Sequence, residues 1–345
     1  MSRLAGSGIA LPEVTLSPAE LAAAGTQWLG AGSADEILFH RLVASSRVAE
    51  RRFALPVEEV LSLRGLEHRT GLFDELAPAL GEQALRNGCT AAGISPGDIQ
   101  TLVFTSCSSP SIPAIDGLII DRAGLPRTVR RLPVFQHGCA GGVVGLGLAA
   151  EFARQGGVTA LVCVELCSLL FPGLKPAPQE LVGSAIFGDG AACAVLTPDQ
   201  TGLVVVAHES FLIPNSRHLM GYDIRDEGFH LRLDRALPQL LMRTVPDRVR
   251  GFLHHHGLTR SAIAHWLFHP GGVKILDYLE ETFAPGGGAP WSRQVLQEIG
   301  NLSSATILVI LDRFMRSQAA QPGEYLMMTG IGPGLTLELV LLQQR

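Results

Sequence analysis

The chain has 345 residues, of which 47% are hydrophobic and 17% are charged. This length accommodates two ordinary domains or one large fold of two similar halves, and the composition excludes a disordered chain. The net charge of −5 and the scattered Lys and Arg residues argue against a nucleic-acid partner. No signal peptide and no uninterrupted apolar run of bilayer length is recognisable, so we expect a cytoplasmic protein without a membrane span.

The six cysteines are dispersed along the chain, and no two of them have C-x-x-C spacing. This pattern favours neither a zinc site nor a disulfide framework, and we expect no metal. Cys163 and Cys167 lie four residues apart in an apolar run without a nearby histidine, which predicts that they pack in the core.

The first half of the chain contains a candidate nucleophile. The apolar run at residues 101–107 is typical of a buried strand, and a second strand-like run at 132–136 precedes Cys139. Cys139 is followed by Ala140-Gly141-Gly142, so a ligand can approach it closely, and the start of a helix there would favour the thiolate. A small core cysteine at a tight turn remains the alternative.

The second half repeats this order of elements. A strand-like run ends at His269, before Pro270-Gly271-Gly272, and Asn301 opens an apolar helix. In this scheme His269 corresponds to Cys107, and Asn301 corresponds to Cys139. Cys107 and Cys139 lie 32 residues apart in the first half, and His269 and Asn301 lie 32 residues apart in the second. Later apolar runs also correspond, at 159–164 and 325–329 and then at 186–196 and 331–341.

This duplication predicts an α/β fold of two stacked, pseudo-symmetric halves, at about residues 1–200 and 201–345. Because Asn301 is the counterpart of Cys139, we expect Cys139, His269 and Asn301 to meet in a crevice between the halves. Taken singly, His269 could be any strand-end histidine, and Asn301 could equally be a helix N-cap.

Four short segments resemble the signatures of type III polyketide synthases, the chalcone synthase relatives. They are GCAGG at residues 138–142, HPGG at 269–272, GNLSSA at 300–305 and GIGPGL at 330–335, with IFGDG at 186–190 in its proper place. The resemblance extends from about residue 50 to the end of the chain. It implies a thiolase-like fold in which the two α/β halves form a layered αβαβα architecture.

The resemblance also implies an activity, that of an acyltransferase that works as a homodimer. Such an enzyme loads an acyl group from acyl-CoA or an acyl-carrier protein, decarboxylates malonyl-CoA, condenses the two and cyclises the product to a pyrone or resorcinol. Its substrates are CoA thioesters, and it has no other cofactor. Cys139 would carry the acyl group, while His269 and Asn301 would stabilise the enolate and the oxyanion. His269 would also hold Cys139 as a thiolate in an ion pair.

Further positions acquire roles only through this resemblance. Phe187 and Phe229 would be two aromatic gatekeepers between the pantetheine tunnel and the cavity, and Ile112 would reach across the dimer. The cavity wall would include the residues Cys107, Ser303, Gly332 and Pro333.

The CoA-binding region departs from the plant pattern. Where plant relatives have a lysine-rich phosphate cluster, this chain offers Arg41, Arg47 and Arg51 in imperfect register. A weak grip on CoA would also suit a carrier-protein donor. Cys107 and the segment RLPVF at 131–135 resemble bacterial enzymes that make alkylpyrones, alkylresorcinols or naphthalene products.

Three other functions stay open at this point. A stand-alone ketosynthase that performs one condensation would share the fold and the Cys-His-Asn set. Papain-like cysteine proteases also have Cys, His and Asn in this order, although their sequence around the cysteine is absent here. A binding protein without catalysis is the third alternative.

Overall fold

The computed structural model describes residues 1–173, 176–199 and 201–345. Its strands are β1 (Ser2–Ala10), β2 (Val14–Leu16), β3 (Arg51–Phe53), β4 (Ile99–Ser106), β5 (Arg130–Phe135), β6 (Val158–Leu166), β7 (Asp189–Thr197), β8 (Leu203–Leu212), β9 (Met220–Arg225), β10 (Gly228–Leu233), β11 (Ile263–Phe268), β12 (Tyr325–Gly332) and β13 (Thr336–Gln344). Its helices are α1 (Pro18–Leu29), α2 (Ala34–Ser46), α3 (Val57–Ser62), α4 (Leu66–Ala92), α5 (Asp116–Ala123), α6 (Gly141–Arg154), α7 (Pro178–Ile186), α8 (Leu237–His255), α9 (Val273–Phe283), α10 (Pro290–Ile299) and α11 (Thr306–Ser317).

Nine of these strands form one mixed sheet in the order β11-β12-β13-β8-β1-β7-β6-β4-β5. The order contains the predicted repeat. β4 is parallel to β6 and β6 antiparallel to β7, just as β11 is parallel to β12 and β12 antiparallel to β13. β1 and β8 pair antiparallel and join the two sets of strands. The position of a domain boundary near residue 200 stays a prediction.

The helices cover both faces of this sheet because its strands are apolar on both sides. Leu161 and Cys163 of β6 face a central cluster with α6 and α11, whereas Ala160 and Val162 face an outer cluster with α4 and α5. A third cluster joins β11 and β13 to α8 and α9. The result is the layered α/β architecture expected from the sequence. Within the described residues, no helix combines the length and the apolar character needed to cross a membrane.

Close contact between α6 and α11 brings the two halves together at their helix starts. A Cβ atom on Gly142 would lie 2.3 Å from the backbone oxygen of Ser304 and 2.5 Å from Cγ2 of Ile307. Only glycine allows this approach, since real Cβ contacts do not come so near. Cys139 stands just before α6 and Asn301 just before α11, so the same contact places both beside one seam.

We predict that Gly142→Ala separates the starts of α6 and α11 and lowers the free energy of unfolding by about 1–3 kcal/mol, because the added methyl group meets backbone. Product formation should fall with it. Urea unfolding of the variant and the native protein measures the first effect. Gly251→Ala is the matched control, since a Cβ at this position in α8 meets nothing within 4 Å. Equal stability of Gly142→Ala and the native protein would contradict the prediction.

Candidate active site

Cys139 differs from the other five cysteines in its exposure. Cys139 is partly exposed, whereas the other five are buried. It lies in a 3-10 turn, Gly138–Ala140, directly before α6, so the N-terminus of that helix faces the thiol. Helix N-termini stabilise a negative charge on sulfur. The predicted nucleophile is therefore at a helix start and open to a ligand.

The side chain of Asn301 is held at one end and open at the other. Its Oδ1 accepts hydrogen bonds from the backbone N–H of Ser303 at 2.8 Å and from the hydroxyl of Thr306 at 3.1 Å. These bonds fix which end of the amide points inward. Nδ2 is buried and has no hydrogen-bond partner among the described residues. Asn301 is therefore not the N-cap of α11, which begins at Thr306, but its oxygen is bonded to the turn that leads into this helix. The nitrogen is available to a ligand.

His269 follows the last residue of β11 and is 5% exposed. Its backbone N–H donates to the carbonyl of Thr329 at 2.9 Å. Gly330, the residue after Thr329 in β12, contacts the turn at Gly138–Ala140 that carries Cys139, since a Cβ there would lie 3.3 Å from Cα of Ala140. Both ring nitrogens are buried without a partner among the described residues. Like Asn301, His269 therefore has enclosed polar atoms that are available to form hydrogen bonds with a ligand.

Burial sets the protonation of these groups. The enclosed surroundings of the sulfur raise the pKa of the Cys139 thiol to about 11, and the nearby polar side chains of Ser303 and Asn301 act in the opposite direction. Burial likewise lowers the pKa of His269 to about 3. Each group alone is therefore neutral at pH 7. If the proton passes from the sulfur of Cys139 to the imidazole of His269, the two opposite charges stabilise each other in this low-dielectric site. The ion pair between Cys139 and His269 stays a prediction.

Ser303 connects the nucleophile to a second thiol. Its hydroxyl lies 3.8 Å from the sulfur of Cys139 and 3.2 Å from the sulfur of Cys107. Ser303 has a φ of 49°, which turns its side chain into the site. The structure therefore brings Cys139, Cys107 and Ser303 into one cluster, and the cavity-wall role that the resemblance gave to Cys107 and Ser303 stays a prediction.

Glu165 is a site residue that the sequence analysis missed. Its carboxyl group is fully enclosed and accepts hydrogen bonds from the backbone N–H of Cys107 and from the hydroxyls of Ser108 and Ser304. Burial raises the pKa of Glu165, against these hydrogen bonds that lower it. A glutamate inside the apolar run of β6 was the signal that could have identified it. It fixes the backbone that carries Cys107.

The two predicted aromatic gatekeepers border neighbouring cavities. Phe187 borders a small cavity together with Leu231, Tyr222 and Cys167. Phe229 borders the next cavity, which also includes Tyr222, with its ring centroid 5.7 Å from that of Tyr222. The gatekeeper role of Phe187 and Phe229 stays a prediction. Cys167 is buried, as predicted, but it also borders the small cavity beside Phe187.

A larger cavity of about 280 Å³ begins at the nucleophile turn. Its wall includes Cys107, Gly138 and Pro333. Gly332 packs behind this wall, since a Cβ there would lie 2.2 Å from the backbone oxygen of His137. Pro333 thus lies in the cavity wall and Gly332 lies behind it, while the substrate-binding role of both residues stays a prediction.

The predicted CoA-binding arginines divide into two groups. Arg41 and Arg47 are exposed, on α2 and just beyond it. Arg51 is completely enclosed, with one hydrogen bond to Ser46 at 3.1 Å and a pKa lowered to about 10 by burial. A phosphate on the surface cannot reach it. The prediction that Arg51 binds the CoA phosphates is therefore wrong, because β3 directs this side chain inward.

Ile112 is 96% exposed, in the loop between β4 and α5. This exposure leaves it available to a second subunit, as the resemblance implies. No metal-binding group is evident at the site or elsewhere in the part of the chain that the structure describes.

Two sequence profiles of one family cover almost the whole chain. The profile of the chalcone and stilbene synthase N-terminal domain matches residues 48–200, and that of the C-terminal domain matches residues 203–344. The chain is a member of the chalcone and stilbene synthase family. This membership makes it a type III polyketide synthase, an acyltransferase acting on CoA thioesters without a separate cofactor, and it removes the papain-like alternative.

Relatives and solved structures agree with this assignment. A 1,3,6,8-tetrahydroxynaphthalene synthase of Streptomyces peucetius subsp. caesius is 34% identical over 319 residues, covering 90% of this chain and 84% of that protein. A phloroglucinol synthase of Pseudomonas fluorescens is 30% identical over 312 residues, 88% of each chain. The crystal structure of the tetrahydroxynaphthalene synthase of Streptomyces coelicolor, a bacterial type III polyketide synthase, matches with a TM-score of 0.92 at 26% identity and covers 98% of both chains. The predicted thiolase-like fold of this type III polyketide synthase is confirmed.

We predict that the reactivity of Cys139 depends on His269. Iodoacetamide should alkylate Cys139 readily at pH 7 in the native protein and at least about 100-fold more slowly in His269→Gln, because a lone buried thiol with its raised pKa holds its proton. In the variant the rate should rise about tenfold per pH unit from pH 7 to 10, whereas the native rate should level off. Peptide mapping by mass spectrometry assigns the alkylated cysteine.

His265→Gln is the matched control. His265 lies on the same strand, and its ring faces Glu324 at 3.2 Å, away from the candidate site. Its alkylation profile should follow that of the native protein. Identical profiles for His269→Gln and the native protein would disprove the ion pair.

Proposed function

We propose that Cys139, His269 and Asn301 form the catalytic triad of this type III polyketide synthase. The observation that carries the proposal is a set of enclosed polar nitrogens, on His269 and Asn301, that have no partner among the described residues. A buried donor without a partner costs about 1–3 kcal/mol. A thioester carbonyl bound at Cys139 would supply the missing acceptor, which supports an oxyanion site at this place.

The first step is acyl loading. In the proposed ion pair the proton of Cys139 has already passed to His269, because the negative charge on the sulfur would offset the burial that alone lowers the pKa of His269 to about 3. The thiolate of Cys139 attacks the carbonyl carbon of an acyl-CoA, and the CoA thiolate leaves and takes the proton from His269. Asn301 and His269 would donate hydrogen bonds to the oxyanion.

The second step is a decarboxylative Claisen condensation. Malonyl-CoA loses carbon dioxide, and the electron pair of the broken bond forms the enolate of acetyl-CoA beside Asn301 and His269. The enolate carbon attacks the acyl group on Cys139, releases the sulfur and leaves a β-ketoacyl-CoA that can be loaded again. The same donors serve both steps because each step places negative charge on a thioester oxygen.

The product and the acyl donor belong to this proposal as well. We propose repeated extension and cyclisation to a pyrone or resorcinol-type product in the cavity that begins at Gly138. Acyl-CoA is the proposed donor, with Arg41 and Arg47 exposed for its phosphates. An acyl-carrier protein and a single condensation remain the alternative, which a comparison of donors tests.

A homodimer completes the proposal. Among the described residues β5 pairs only with β4 and forms an edge of the sheet. An open edge strand is a template for pairing with another chain. Beside it lie Ile112 and Leu118, which are 96% and 46% exposed. A second copy that covered this edge would bury these apolar groups. We place the enzyme in the cytoplasm, where its thiols would stay reduced.

We predict that Cys139→Ala abolishes acyl loading and leaves the fold intact, because Ala fills most of the volume of Cys. Intact-protein mass spectrometry after incubation with acyl-CoA, and in parallel with the same acyl group on a carrier protein, detects the adduct. Asn301→Asp should slow both acyl loading and the release of carbon dioxide from malonyl-CoA, the latter at least about 100-fold, since it keeps the hydrogen-bonded oxygen and loses the donor.

Cys89→Ala is the control, because Cys89 is buried in α4 and belongs to the outer cluster. It should load and condense normally. A normal adduct on Cys139→Ala would end the proposed mechanism. Loading from the carrier protein alone, with one condensation, would favour the stand-alone ketosynthase.

We also predict that Ile112→Asp weakens the dimer. Light scattering after gel filtration should give twice the chain mass of 36.7 kDa for the native protein and a lower, concentration-dependent mass for the variant, because a charge would be buried in the interface. Ile224→Asp is the control, since Ile224 is 48% exposed on a different element, β9. A native protein that remains monomeric at micromolar concentration would disprove the dimer.

A further inference from the structure

The cavity beside the nucleophile carries an unbalanced positive charge. Two guanidinium groups, of Arg217 and Arg232, contribute to its wall, and no Asp or Glu among the described residues does. Its other wall residues are apolar or neutral. Any acyl chain that grows from Cys139 into this space therefore meets a cationic wall.

Arg232 is only partly satisfied by the protein. It forms an ion pair with Asp223 and donates to the backbone oxygen of Arg217 at 3.4 Å. Its Nε is buried and has no hydrogen-bond partner among the described residues. Its guanidinium lies beside the backbone of Gly221, since a Cβ there would be 3.1 Å from Nη2 of Arg232 and 4.0 Å from Cβ of Pro333.

Arg217 is exposed and makes no ion pair with a described residue. Both arginines also border an outer groove of about 920 Å³, into which Asp223 projects. The pair thus stands where the inner cavity meets the groove, at the end remote from Cys107. A guanidinium keeps its charge at any pH of interest and binds a carboxylate through two parallel hydrogen bonds.

We infer that Arg232 and Arg217 form a subsite for a carboxylate at the far end of the acyl chain, so that the enzyme prefers starter thioesters of dicarboxylic acids over alkyl starters of the same shape. The inference rests on the proposed function, because the chain must be attached to Cys139. A carboxylate would satisfy Nε of Arg232 and neutralise the wall. An alkyl end would displace water from both guanidinium groups and offer no hydrogen bond in return.

The test compares succinyl-CoA with 4-methylpentanoyl-CoA, whose isopropyl end has nearly the shape of a carboxylate. Each starter is supplied with malonyl-CoA, and the products that contain the starter are quantified by mass spectrometry as kcat/KM. We expect the native enzyme to prefer succinyl-CoA. Arg232→Met should lower the ratio of the two kcat/KM values about 30- to 100-fold, and Arg217→Met about tenfold. Arg232→Lys should restore part of the preference.

Two further variants separate charge recognition from a structural role. Arg225→Met removes an exposed arginine from the same hairpin outside the cavity and should leave the ratio within about twofold. Asp223→Asn removes the competing carboxylate and should raise the preference for succinyl-CoA.

The following results would contradict the proposed carboxylate subsite. A native enzyme without preference for succinyl-CoA, or an Arg232→Met enzyme that loses both activities equally, disproves it while the condensing activity stands. If neither starter gives a product with the native enzyme, the proposed function itself fails, and the subsite fails with it.

Discussion

One short backbone bridge between the two halves fixes the candidate site. The backbone N–H of Asn301 donates to the carbonyl of Ile186 at 3.0 Å, and the N–H of Gly188 donates to the carbonyl of Asn301 at 2.9 Å. Phe187 lies between these bonds, so the residue that borders the small cavity and the residue that offers Nδ2 move together. Buried backbone bonds of this kind are lost only at a cost of about 1–3 kcal/mol each. The position of Asn301 therefore depends on the first half of the chain.

The duplication explains why two strand ends and two helix starts meet at one place. Cys107 follows β4 and His269 follows β11, and these strands occupy equivalent positions in the two sets. Cys139 and Asn301 precede the equivalent helices α6 and α11. A pseudo-twofold relation brings equivalent ends together at the seam, after which different side chains can divide the chemistry. The thiol of Cys107 and the imidazole of His269 are such a divided pair.

Sequence reasoning predicted the parts of the fold that have a regular period. The 32-residue spacing and the apolar runs identified the repeat, and the glycines around Cys139 identified a close approach. It failed where the answer depends on a register or a burial that one chain cannot reveal. Glu165 stands in an apolar strand, and only coordinates show that Ser108, Ser304 and the backbone of Cys107 surround its carboxyl group. Arg51 was expected at the surface because its charge suggested phosphate, but β3 directs it inward.

Charge distinguishes the two parts of the site. Around Cys139 burial disfavours an isolated charge, because it lowers the pKa of His269 to about 3 and raises those of Cys139 and Glu165. Charge can form there only in pairs, as a proton moves or a thioester oxygen accepts hydrogen bonds. The wall of the neighbouring cavity carries instead the guanidinium groups of Arg217 and Arg232, of which only Arg232 has a carboxylate partner among the described residues. The cavity next to this reaction centre therefore has a positive charge. For the proposed subsite, the charge of the group at the end of the acyl chain matters as much as the length of that chain.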